Sequence, residues 1–279
     1  MRLRRGVAVT LAALALLAAV CGTALPATAG APDFGYAPAP ADGCKTKPAG
    51  AVLVAPAAGA KHGPAVLWAH WLGEPATTNH TEFLSDANDL AQHGVVSLLL
   101  DMPWSQKDWF NGVRTPETDY AQTIAQVVLL RRALDCLIAV PGVDPARIAF
   151  VGHDFGAMDG ALMLAVDDRV AYAVLMTPTL SFWEWYLLGK QPADPAAYVA
   201  QMSAFDLPGW LARGRQRATL LQFGQNDEYV SQATGIAVRN AVPNRDRTLK
   251  AYKLDHALED VTAHDDRRAW LRAHLGVER

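Results

Sequence analysis

Residues Val151-Gly152-His153-Asp154-Phe155-Gly156 carry the sharpest chemical signal in the chain. They stand where an apolar run gives way to a helical pattern. A G-x-D-x-G turn between a strand and a helix is tight, and the small residues at 152 and 156 let the two elements approach. The central side chain is then held up at the end of the strand. The Phe155 N–H would open the following helix, where negative charge is favoured. Such a placement favours an ionised Asp154 and any oxyanion beside it. A carboxylate so placed can attack carbon or activate water.

The elements that must position it are legible from periodicity. Residues 51–55, 65–70, 95–100, 147–151, 170–176, 218–223 and 249–254 are short apolar runs that read as strands. Residues 81–92, 156–166 and 261–275 read as helices. The clearest helix is 120–140, where Tyr120, Ile124, Val127, Leu130, Leu134 and Leu137 recur at steps of three and four. This alternation predicts an α/β fold with a mostly parallel central sheet and helices on both faces. Residues 180–216 carry Phe182, Trp183, Trp185, Tyr186, Tyr198 and Trp210, and are too long for a plain loop. They read either as a small helical cap insertion or as connecting helices whose aromatics pack in the core.

With its elbow and strand order, the chain resembles the α/β-hydrolase superfamily over most of residues 50–275. Two further segments extend the likeness in the family's order. Gly224-Gln225-Asn226-Asp227 resembles the acid turn, and Leu254-Asp255-His256-Ala257-Leu258 resembles the histidine loop. The resemblance implies that Asp227 orients His256 and stabilises its charged form. Asp255 and Glu228 are neighbouring alternatives. The family's His-Gly after the second strand is here His70-Trp71, so the oxyanion hole is expected to use the N–H of Phe155 and that of Trp71, or else of Leu72. His70 itself reads as structural. The compact layout is similar to dienelactone-hydrolase-like members. The Gly-His-Asp-aromatic-Gly elbow resembles haloalkane dehalogenases and epoxide hydrolases, which use aspartate as nucleophile.

An aspartate that attacks an sp³ carbon displaces halide or opens an epoxide and leaves an alkyl ester, which His256 can hydrolyse through water. Attack on an ester carbonyl would instead form a high-energy anhydride. The expected catalytic set is Asp154, Asp227 and His256, with Trp104, Trp183 and Tyr186 lining the substrate pocket. Tyr186 and Tyr198 are candidates to hold an epoxide oxygen. Substrates range over epoxides, haloalkanes, and esters or lactones. No cofactor is required, and no His or Cys spacing marks a metal site. The competing reading is a non-catalytic protein of the same fold that binds an apolar ligand or partner, since both the usual Ser and the His-Gly glycine are missing.

Residues 1–29 read as an export signal: Arg2, Arg4 and Arg5 precede an apolar run, and Ala27-Thr28-Ala29 offers a cleavage pattern. Lipid attachment at Cys21 is disfavoured by the bulky Val20. A secreted or cell-envelope location follows, with no membrane span after cleavage. Cleavage would remove three arginines and no acids, leaving 22 basic against 28 acidic residues, a net charge near −6. That argues against nucleic acid and leaves a small molecule as the expected partner. Residues 30–49 form an irregular lead-in, 50–279 the main domain. Cys44 and Cys136 are a candidate disulfide in an oxidising compartment. The oligomeric state is not readable.

Overall fold

The computed structural model describes residues 32–36, 48, 50–59, 61–73 and 78–277. The leader, Cys44 and most of the 30–49 lead-in lie outside the described residues. Cys136 is disulfide-bonded.

Among the described residues, seven strands form one sheet: β1 (Val52–Val54), β2 (Gly63–Ala69), β3 (Val96–Leu100), β4 (Val143–His153), β5 (Tyr172–Met176), β6 (Ala218–Gly224) and β7 (Asp246–Tyr252). Their order is β1-β3-β2-β4-β5-β6-β7, and only β1 runs antiparallel to its neighbour. Every residue of β2, β3 and β6 is buried, the pattern of strands covered on both faces. β7 is an edge strand with half-exposed residues. It begins three residues before the apolar run 249–254 because Asp246-Arg247-Thr248 pair with β6 while facing water.

Among the described residues, eight α-helices flank the sheet. They are α1 (Leu84–Gln92), α2 (Pro116–Ile138), α3 (Phe155–Val166), α4 (Phe182–Tyr186), α5 (Pro195–Met202), α6 (Leu207–Leu211), α7 (Gln232–Ala241) and α8 (Val261–Leu275). A 3₁₀ turn, His80–Phe83, leads into α1. One core layer joins the sheet to α2, α3 and the helices of 180–216. The other joins it to α1 and α8, with Trp68, Phe83 and Leu271 fully buried.

Helix α2 starts four residues before Tyr120. Thr115 caps it through a reciprocal pairing with Thr118, and Pro116 sits at the first helical position, where no N–H is needed. Segment 180–216 folds as α4, α5, a short 3₁₀ turn and α6. Phe182, Trp185, Tyr186, Phe205, Leu207 and Trp210 are buried there.

Candidate active site

Asp154 stands between β4 and α3 with φ 51° and ψ −115°, a conformation that costs a non-glycine residue about 1–3 kcal/mol. Its N–H donates to the Met176 carbonyl at 2.8 Å, and its carbonyl accepts from Met158 N–H at 2.9 Å. The turn closes only because its flanks are glycines. A Cβ at Gly152 would fall 2.5 Å from the Gly156 carbonyl oxygen, and one at Gly156 would strike the Ala69 backbone on β2. The sequence therefore dictates the strain, and the strain aims the carboxylate past the end of the sheet.

Two other strand ends meet it. Beyond β6, Asp227 closes a local turn in which its Oδ1 accepts the N–H groups of Tyr229 and Val230 at 2.8 and 2.9 Å. That leaves Oδ2 for the Nδ1 of His256, 2.8 Å away, on the loop after β7. The other imidazole nitrogen, Nε2, lies 3.9 Å from Asp154 Oδ1. One ring thus sits between two carboxylates. Of the three acidic candidates, Asp227 is the one it bonds; Asp255 and Glu228 are exposed.

The oxyanion side differs from expectation by one residue. The Trp71 N–H is taken by Glu82 Oε2 at 3.0 Å, so it does not face Asp154. The Leu72 N–H does, donating to Asp154 Oδ2 at 3.1 Å. The Phe155 N–H, at the start of α3, favours the ionised form of the same carboxylate. His70 is structural: Nδ1 bonds the Trp71 carbonyl at 2.8 Å, and Nε2 accepts Met102 N–H at 3.0 Å. Burial lowers its pKa, which suits the neutral ring this pairing needs.

Electrostatics separate the two carboxylates. Burial pushes Asp154 up to about 7, against the charge of His256 and the N–H groups of Leu72 and Phe155, which favour ionisation. The helix terminus alone thus does not keep Asp154 fully ionised at neutral pH; desolvation of a side chain 1% exposed outweighs it. Burial opposes charge on Asp227 too, but its hydrogen bond to His256 and the charge there hold it below the ordinary range. Asp154 Oδ1 and His256 Nε2 are both buried and lack a hydrogen-bond partner. They are the two atoms that a nucleophile and a base would have to keep free.

Aromatic rings surround the imidazole. Trp71, Trp185 and Tyr229 have centroids 5.8, 5.4 and 5.4 Å from it. Trp185, rather than Trp183, faces the site: the two lie two positions apart on α4, nearly opposite around the helix. Trp185 also packs on Phe155 at 6.1 Å, and its indole N–H is buried without an acceptor. Tyr186 lies behind Phe155, under the Arg114 guanidinium at 4.5 Å, so it packs rather than lines the reacting atoms. Tyr198 donates to Asp119 at 2.6 Å, and neither tyrosine reaches Asp154 as an epoxide clamp would. The Trp104 indole donates to the carbonyls of His70 and Trp71 and leans on Phe155 at 5.7 Å. Trp104 also borders a groove of about 450 Å³ that runs from Leu72 to Trp109.

Sequence reasoning missed Glu82 and Tyr229, gave Leu72 only as the alternative to Trp71, and named Trp185 among the aromatics of 180–216 without placing it in the pocket. Trp185 carried a signal, being one of the aromatics clustered on a short helix. Glu82 carried none, because its partner N–H is eleven residues away. Among the described residues, no cluster of His, Cys, Asp or Glu is suited to a metal ion, and no helix is long and apolar enough to cross a membrane.

No family profile and no curated protein matches the sequence. Solved structures do match in shape. The 2,6-dihydroxy-pseudo-oxynicotine hydrolase superposes with a TM-score of 0.59 at 18% identity, over 81% of this chain and 64% of its own, so this chain spans less than two thirds of it. The esterase domain of a Rhodothermus marinus protein gives 0.60 at 15% identity, over 81% of this chain and 93% of the other. Acetyl xylan esterase from Paenibacillus sp. R4 gives 0.60 at 19%, over 80% and 78%. These likenesses, with the seven-stranded sheet and its order, establish the α/β-hydrolase fold.

Proposed function

We propose that the chain is an exported, cofactor-free hydrolase that acts on a small apolar substrate through a covalent ester on Asp154. The observation that carries this reading is the orientation of one carboxylate. Asp154 Oδ2 rests on the Leu72 N–H, where an oxyanion would be held, and Oδ1 points free toward His256. In a serine-type esterase the hole must accept the substrate's carbonyl oxygen. Here the enzyme's own carboxylate fills it, which suits attack by Oδ1 at a saturated carbon.

In the first step Oδ1 forms a bond to the substrate carbon as the bond to the leaving group breaks. The leaving group departs as halide, or stays attached as the alkoxide of an opened epoxide. In the second step His256 Nε2 takes a proton from water as that water adds to the Asp154 carboxyl carbon. Negative charge collects on Oδ2, where the Leu72 N–H already points. Asp227 steadies the imidazolium through Nδ1. On collapse the imidazolium returns its proton to the departing alkoxide, which leaves as the alcohol, and the Asp154 carboxyl gives its own proton to solvent. Structural relatives named esterases and a hydrolase are in keeping with water as co-substrate.

Of the leaving groups, halide is the better supported. Both cap tyrosines are engaged elsewhere, whereas the Trp185 indole N–H is a buried donor without an acceptor, on a ring packed against both His256 and Phe155. Export rests on the leader sequence alone. The test is a panel of haloalkanes, epoxides and esters given to the wild type, Asp154→Asn and His256→Gln. The expected result is haloalkane turnover by the wild type, none by Asp154→Asn, and a covalent mass increase on His256→Gln. A protein inert toward the whole panel would favour the ligand-binding reading of the same fold.

A further inference from the structure

Behind the reacting atoms lies an ion pair that touches all three loops of the site. Glu82, on the 3₁₀ turn before α1, holds two groups at once. Its Oε2 accepts the Trp71 N–H at 3.0 Å, and its Oε1 lies 2.7 Å from His153 Nδ1. His153 is the residue before Asp154 in the elbow and is wholly buried. Its Nε2 lies 3.0 Å from the backbone carbonyl of His256. The Trp71 indole stacks on the His153 ring, 5.5 Å between centroids and 20° between planes.

Both partners of His153 are acceptors, a carboxylate oxygen and a carbonyl oxygen. Each ring nitrogen therefore shares a hydrogen with an oxygen, and one proton lies between Nδ1 and the Glu82 carboxyl whichever of the two groups carries it. The two bonds hold the ring in place, and the stacked Trp71 indole packs on its face.

We propose that Glu82 and His153 are positioning residues that lock the oxyanion loop, the nucleophile elbow and the histidine loop into one register. Each loop has one tether. Glu82 fixes Trp71, whose successor Leu72 supplies the N–H under Asp154 Oδ2. His153 fixes the elbow by its place in the chain. The His153 bond to the His256 carbonyl sets where that imidazole hangs relative to Asp154. Taking the Trp71 N–H is also what leaves Leu72, rather than Trp71, to face the carboxylate. Neither Glu82 nor His153 touches the reacting atoms, so they act through geometry, and a misplacement of about 1 Å at a reacting centre can cost about a hundredfold in rate. The kinetic part of this inference rests on Asp154 and His256 being the reacting pair; the structural part does not.

The experiment uses two variants of the exported chain and two readouts. Long-range imidazole ¹H–¹⁵N spectra at pH 7.5 read the environment of each ring. In Glu82→Ala, the His153 Nδ1 signal and the His256 ring signals should move. Glu82→Gln, which can still accept the Trp71 N–H, should leave the His256 signals near their wild-type positions. With any substrate that is turned over, Glu82→Ala should lower kcat by about tenfold to a hundredfold with KM changed less than about threefold. Glu82→Gln should recover most of the loss. A folded Glu82→Ala whose His256 signals and kcat match the wild type would overturn the proposal. If no substrate is turned over, the reaction proposed above fails, while the spectra still decide the brace.

Discussion

Asp154 and Asp86 are both almost wholly buried, yet their surroundings push them in opposite directions. Asp86, on α1, accepts from Arg267 on α8 at 2.6 Å, and His264 lies 3.1 Å away. Burial alone would raise its pKa, but the Arg267 charge and these hydrogen bonds hold it below the ordinary range. Asp154 has two backbone N–H groups and a distant imidazole, and burial wins. The first carboxylate is satisfied and ties two helices together. The second is kept partly unsatisfied on a strained turn, at a cost in stability that only a function would retain. Pairing, not burial, separates a structural carboxylate from a reactive one.

The largest effect should come from removing the reactive member. Asp154→Asn should abolish turnover by at least about ten-thousandfold, as loss of a covalent nucleophile does. Initial rates on the substrate panel check this. Asp86→Ala should leave the chemistry alone and strike the fold. It strands a buried guanidinium, which costs about 3–5 kcal/mol, so Tm should fall by about 6–20 °C in a thermal melt.

The next effect runs opposite in sign. Asp154 has its pKa raised in the folded state, so its ionisation weakens the fold as pH climbs from about 4 to about 7. Asp154→Asn should therefore be more stable than wild type by about 2–4 kcal/mol at pH 8, with little difference at pH 4. Asp86 has the depressed pKa, so its contribution is present above about pH 4 and is lost as acid protonates it. Melts of wild type and both variants across pH 3–8 would show the two dependences crossing. Equal behaviour of the two variants across that range would break the comparison. The smallest effect belongs to Tyr198→Phe, which removes one hydrogen bond to Asp119 and should cost about 1 kcal/mol without changing epoxide turnover. A selective loss on epoxides would return Tyr198 to the site.

Much of this was legible in the sequence, and where it was not the reasons are physical. Strand and helix periodicity disclosed the fold because most of the strands are buried on both faces. Helix α7 was missed because Gln232–Ala241 buries little beyond Gly235 and Val238, too few positions to set a period. The elbow was legible because only glycine fits at 152 and 156. The one-residue shift from Trp71 to Leu72 was not, since it depends on Glu82 capturing an N–H from a different element. Trp183 and Trp185 could not be told apart because α4 is a five-residue helix with no periodic pattern to set its phase. Asp154's raised pKa was hidden for a similar reason. The helix terminus is visible in a sequence, whereas the desolvation that outweighs it comes from packing.

The claim beneath the whole reading is that Asp154 Oδ1 bonds to substrate and that its carboxyl is later hydrolysed. A single turnover in ¹⁸O-water, with enzyme in excess over a haloalkane, tests it most directly. Mass spectrometry of the peptide spanning residues 151–156 should then show ¹⁸O in the Asp154 carboxyl group and none in the alcohol released in that turnover. Label confined to the product, with Asp154 unlabelled, would contradict it.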